Sequence, residues 1–189
     1  MCKTVYITTR CFDYTSSYFC ELLKKELESR NIDVVYKKSG CRWLSRNKVY
    51  GIALAFDFYN DNQFGSGLTL SKTCSNISKQ FAYSLSNAID SIYPDIVWRA
   101  IDFVDSKDKG WNKYFRKISS TTKALFHLCT KNNEYEYETF ITHIEELVKV
   151  IANEIVRCLR SNYDVRNYIQ RVQYARYKQQ KDRMKNGNK

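Results

Sequence analysis

The chain has 189 residues and 22.4 kDa, with 43% hydrophobic and 15% aromatic residues, which is enough to build a core and too much for a disordered segment. Its 31 Lys and Arg against 20 Asp and Glu give a net charge of +11, suited to an anionic partner such as nucleic acid, an anionic wall polymer or an acidic protein face. Seven cysteines without a C-x-x-C pair, no leader-like h-region and no apolar run of about 18 residues speak against a disulfide frame, a secretory segment and a membrane span. The expectation is a soluble protein with reduced thiols in the cytoplasm.

Residues 4 to 8, TVYIT, are a β-branched and aromatic run that predicts a buried strand. In DYTSSYFCELLKKELESRN a helix follows, with Tyr18, Phe19, Leu22, Leu23 and Leu27 at helical spacing, a Ser or Thr as N-cap and Asn31 as C-cap. IDVVYKK (32 to 38) is a second strand, so strand, helix and strand in sequence predict a right-handed βαβ unit and a parallel sheet. After the basic connector SGCRWLSRNK, the nearly continuous apolar run VYGIALAFDFY (49 to 59) predicts a strand buried on both faces. LTLS suits a short strand. NISKQFAYSLSNAIDSIY (76 to 93) predicts an amphipathic helix with Ile77, Phe81, Leu85, Ala88, Ile89 and Ile92 on one side, ended by Pro94. The mixed stretch 95 to 117 yields no clear element. KALFHLC predicts another buried strand, and THIEELVKVIANEIVRCL (142 to 159) a helix with Ile144, Leu147, Val148, Ile151, Ile155 and Leu159 as its core stripe.

The last thirty residues differ in kind, so the chain divides into an α/β domain over 1–159 and a basic, tyrosine-bearing helical extension over 160–189. The extension carries nine Lys or Arg against two acids, +7 of the +11. Arg160, Arg166, Arg171, Arg176, Lys178, Lys181, Arg183 and Lys185, interleaved with Tyr174 and Tyr177, are the candidate contacts to nucleic acid or a nucleoprotein, because cations grip phosphates and rings stack on bases. The plainer reading is a solvated helix that keeps the chain soluble. Arg10, Arg42, Arg46 and Lys48 fall in loops at strand ends, where α/β domains commonly bind.

The order of elements resembles the catalytic domain of zinc-dependent N-acetylmuramoyl-L-alanine amidases of type 3. YFRKISSTTKALFHLCTKNNEYEYETFITHIEELVKVIANEIVRCL is similar to that family's closing strand, polar turn and final helix. SYFCELLKKELESRNIDVVYKK looks like its first long helix and second strand, and IALAFDFYND like its central strand and following loop. The resemblance covers roughly residues 4 to 160 and implies an α/β fold with a mixed, mainly parallel sheet flanked by helices. It also implies a zinc ion held by two histidines and a glutamate, with a second glutamate as general base. At the matching positions this chain departs: TTRCFD replaces the Gly-His-Gly-Gly loop, Asp13 lies near the glutamate ligand, Asp57 stands at the second histidine and His127 at the catalytic glutamate.

Asp13, Asp57 and His127 are therefore the candidates for a rebuilt zinc or manganese site, against the plainer reading of a vestigial cleft in which His127 is hydrogen-bonded at a strand end. In a regular extended strand Cys129 would share a face with His127, as a Cys–His nucleophile requires, although no glycine-rich oxyanion loop accompanies them. His143, beside Glu145 and Glu146, reads as a solvated surface residue. The leading expectation is a non-enzymatic binding protein on a degenerate amidase fold, without catalytic residue, metal or cofactor, whose partner is nucleic acid or a nucleoprotein. One concrete form is a phage or mobile-element inhibitor of a host defence nuclease such as a CRISPR effector. The alternatives are a zinc-dependent, endolysin-like peptidoglycan amidase with a substituted ligand set, and a homodimeric interaction scaffold; the oligomeric state is left open.

Overall fold

Strand β1 (Val5–Thr9), helix α1 (Tyr14–Ser29) and strand β2 (Val34–Lys38) form the expected βαβ unit, with β1 and β2 parallel. They belong to a computed structural model that describes residues 4–9, 13–38, 49–60, 65–92, 101–105, 107–115 and 118–160. The cap of α1 is Asp13, not a serine or threonine: its Oδ1 accepts the Ser16 N–H at 3.0 Å, satisfying one of the first-turn donors that a helix leaves free. Beyond the helix Asn31 takes φ 60°, a left-handed conformation that asparagine tolerates and that ends helices.

The remaining elements are β3 (Val49–Tyr59), β4 (Gly67–Ser71), α2 (Asn76–Asp90), β5 (Asp102–Val104), α3 (Lys109–Phe115), β6 (Ser119–Thr130), α4 (Glu134–Thr142) and α5 (Ile144–Arg160). The strands make one sheet in the order β2-β1-β3-β6-β4-β5. β1, β2, β3 and β6 are mutually parallel and β4 runs antiparallel to β6, so the sheet is mixed and mainly parallel with helices on its faces.

Strand β3 lies between β1 and β6 and is covered on both sides, as its apolar run predicts. Ile52, Leu54, Phe56 and Phe58 face the larger core, with Phe19 and Leu23 of α1, Phe81 and Leu85 of α2, Phe140 of α4 and Leu147 and Ile151 of α5. Phe56 is its aromatic hub, with ring centroids 5.1 Å from Phe19 and 5.9 Å from Phe126. Ala53 and Ala55 point to the opposite face, where Trp111, Tyr114 and Phe115 of α3 pack with Tyr6, Tyr50 and Leu125. Two alanines on that side of β3 leave room for the bulky rings of α3.

Several boundaries move. β6 begins four residues before the expected start at Lys123. β5 and α3 occupy the stretch that has no sequence pattern of its own. The stretch before the expected 142–159 helix holds a helix of its own, α4, which His143 parts from α5: His143 donates its N–H to Thr139 O at 3.1 Å and accepts the Leu147 N–H at 2.9 Å, ending one turn and opening the next. Its imidazole, exposed as expected, pairs with Glu146 at 3.2 Å. α2 ends at Asp90; Pro94, the residues of the 160–189 extension after Arg160, and Arg10, Arg42, Arg46 and Lys48 lie outside the described residues.

Candidate active site

Because β1, β3 and β6 are parallel, their carboxyl ends meet at one edge, the place where such sheets gather functional side chains. On β1, Thr9 is fully buried; its Oγ1 donates to Phe56 O at 2.9 Å and lies 2.6 Å from Ser16 Oγ, tying the strand end to β3 and α1.

Asp57 of β3 and His127 of β6 stand directly opposite one another in the parallel ladder. Asp57 is buried, 4% exposed. Its Oδ1 accepts the Phe58 N–H at 2.9 Å and its Oδ2 accepts the Tyr114 hydroxyl at 2.6 Å, short contacts of the charge-assisted kind. His127 is half-buried, with Nε2 3.3 Å from Thr69 Oγ1 of β4 and its ring stacked on Tyr59 at 4.1 Å and 13°. A carboxylate and an imidazole are thus set side by side and oriented by groups on β4, α3 and β3.

Just beyond the pair the ladder slips: Asp57 pairs with His127 but Tyr59 pairs with Thr130, so two residues of β6, Leu128 and Cys129, oppose Phe58 alone. Such a β-bulge breaks the alternation of faces. Leu128 and Cys129 both enter the larger core, which corrects the expectation that Cys129 shares a face with His127. Burial, with Glu136 adding to it, pushes the Cys129 thiol up to about 12, the opposite of what a thiolate nucleophile needs. Past the bulge, the buried Glu136 accepts the Thr130 N–H at 3.1 Å, closing the turn into α4.

Asp13 has a different employment. Besides capping α1 it pairs with Lys131 at 3.5 Å, an exposed contact of about 0–1 kcal/mol. Among the described residues no three His, Cys, Asp or Glu side chains come together as a metal-holding group. The zinc implied by the fold resemblance needs three protein donors and an open position. Asp57 and His127 offer two, and both Asp57 oxygens already accept hydrogen bonds, so the described residues do not by themselves fit that ion. Of the proposed partner contacts, Arg160 ends α5; Arg166, Arg171, Arg176, Lys178, Lys181, Arg183, Lys185, Tyr174 and Tyr177 lie outside the described residues.

Tyr114, Thr69 and Tyr59 were not among the expected site residues. Tyr114 reaches Asp57 across 57 positions and Thr69 reaches His127 across 58, and no local pattern marks either. Only the chemistry of a buried aspartate, which must find donors, signals that such partners exist.

No family model matches the sequence, and comparison with curated protein sequences finds no match. Among solved structures the fold is similar to the catalytic domain of an endolysin targeting Clostridia difficile, with TM-score 0.63 and 13% identity over 82% of this chain and 97% of that one. It is also similar to the N-acetylmuramoyl-L-alanine amidase of Clostridium difficile 630, with TM-score 0.61 and 15% identity over 86% of this chain and 99% of that one. The N-acetylmuramoyl-L-alanine amidase AmiC2 of Nostoc punctiforme follows at TM-score 0.60 and 11% identity, covering 84% and 98%. At these identities the likeness establishes the amidase-like fold. It also corrects the expectation of a non-enzyme: the architecture that 82–86% of this chain shares is an enzyme's in each of the three.

Proposed function

We propose that this chain is an amide-bond hydrolase acting on a peptidoglycan-like substrate, with Asp57 and His127 at the carboxyl edge of the sheet as its working pair. The observation that carries the reading is their placement: an aspartate and a histidine on facing positions of adjacent parallel strands, beside a bulge, in an amidase-like fold. His127 does the proton work. Its neutral imidazole takes a proton from the attacking water as the water oxygen bonds to the carbonyl carbon, then delivers it to the amide nitrogen as the C–N bond breaks. Asp57, fixed by Tyr114 and the Phe58 N–H, places a negative charge on the neighbouring strand that favours the transient imidazolium. Thr69 and Tyr59 hold the ring in position. No step is routed through a metal.

The test is release of stem peptide from muramoyl-peptide fragments, assayed with and without chelator and added zinc. His127→Ala should lower kcat/KM by roughly 10²–10⁴-fold, the span of general acid–base catalysis, and Asp57→Asn should lower it too. Absence of hydrolysis under every metal condition, or full activity of His127→Ala, refutes the reading.

A second reading concerns the partner and rests on the net charge of +11, concentrated after residue 160: the chain also grips an anionic polymer, nucleic acid or an anionic wall component. Binding that falls steeply with salt and weakens on removal of residues 160–189 supports it; salt-insensitive binding sinks it.

A further inference from the structure

A second polar cleft, of about 390 Å³, opens at the far end of β4, where the chain turns into α2. Its walls carry Ser71 and Thr73 after β4, Ser75 and Ser78 in the first turn of α2, Trp111 of α3 and Lys123 of β6. Lys123 is on the same strand as His127 but four residues upstream, about 13 Å away at the rise of an extended strand, so the cleft is separate from the Asp57–His127 pair.

Lys123 is half-buried, and among the described residues it has no ion-pair or hydrogen-bond partner. A half-buried cation without a counter-charge is costly, and burial lowers the Lys123 ammonium below the ordinary lysine range with no carboxylate holding it up. Facing it are hydroxyls with protons to give. Ser71 Oγ and Thr73 Oγ1 lie 3.0 Å apart and share one hydrogen bond; Ser71 Oγ also accepts the Thr73 N–H at 3.2 Å. Two hydroxyls carry two protons and only one lies between them, so the other is available to an acceptor. The start of α2 forms one wall, and its partial positive charge adds to that of Lys123. Asp108, beside Trp111, is engaged by the Trp111 N–H at 3.1 Å.

We propose that this cleft binds a phosphate group, free or carried by a small phosphomonoester, with Lys123 as counter-ion and the Ser71–Thr73 hydroxyls as donors. A tetrahedral oxyanion presents several acceptor oxygens to a cation and to hydroxyls at different heights, and Lys is a recurrent phosphate binder.

The full chain is titrated calorimetrically at fixed ionic strength with inorganic phosphate, ribose 5-phosphate and acetate. One-to-one binding of a phosphate probe is expected, at least tenfold weaker in Lys123→Met and unchanged in Lys149→Met, whose lysine is exposed on α5 beside α1. Thr73→Val, which keeps the shape and removes one hydroxyl, should weaken binding about threefold and serves if Lys123→Met does not fold. Preference for ribose 5-phosphate assigns a phosphomonoester; equal affinity assigns the phosphate group alone. Wild-type affinity in Lys123→Met, or in Thr73→Val where that variant stands in, overturns the proposal, as does no measurable phosphate binding or acetate binding as tightly as phosphate.

Discussion

Replacing Tyr114 by phenylalanine isolates one hydrogen bond at the centre of the candidate site. The Tyr114 hydroxyl donates to Asp57 Oδ2 at 2.6 Å, and both residues are buried, 5% and 4% exposed. The ring stays packed among Trp111, Phe115 and the β3 alanines in Tyr114→Phe, so no cavity term enters. What is lost is a bond to a carboxylate, worth ~1.5–3 kcal/mol, together with some of the cost of leaving that oxygen underdonated in a dry place. For a chain of this size the melting temperature should drop by about 3–10 °C. Urea denaturation should show a lower midpoint with an unchanged slope, because the surface exposed on unfolding is the same. A double-mutant cycle with Asp57→Asn should recover a coupling of about 1 kcal/mol or more. A loss below ~0.5 kcal/mol, or additivity in the cycle, refutes the claim that Tyr114 holds Asp57.

Thr9→Val keeps the shape of a fully buried side chain and removes the hydroxyl that meets Phe56 O and Ser16 Oγ; it should cost ~1–3 kcal/mol in the same urea assay, and a neutral result removes Thr9 as a tie between β1, β3 and α1. Burial pushes the thiol of Cys129 to about 12 and that of Cys158 to about 11 from an ordinary 9.0. The folded chain therefore keeps protons that the unfolded chain has lost above pH 9. Stability from these thiols is complete below pH 9 and declines as pH rises through 11 and 12, by at most ~1.4 kcal/mol per pH unit for each. The double variant Cys129→Ala, Cys158→Ala should flatten that alkaline decline, and an unaltered profile contradicts the burial.

The parts legible in the sequence are those whose signal is local. β3 coincides with its apolar run at both ends, because a strand covered on two faces needs no alternation. α1 and the core stripe of α5 follow from helical spacing. α4 escaped because EYEYETFIT buries only Glu136 and Phe140 and so makes no apolar stripe. β5 and α3 escaped because three exposed or half-exposed residues and one short helix make no periodic pattern. At the site, Asp57 and His127 were legible as polar residues in apolar strands, whereas their facing register depends on how β3 and β6 align. The cleft around Lys123 was invisible for the same reason: its residues come from four segments that only the sheet order brings together.

The slip at Leu128 and Cys129 works like a change of reading phase within one strand. Before it, Leu125 looks toward α3 and His127 stands against Asp57; after it, Cys129 looks toward the helical core. Chain length there carries information that residue identity does not. Excising Cys129 would set Phe58 against Leu128 and leave Tyr59 opposite Thr130, so the extra residue shifts nothing beyond it; what it adds is one more side chain for the helical core at the very end of the strand.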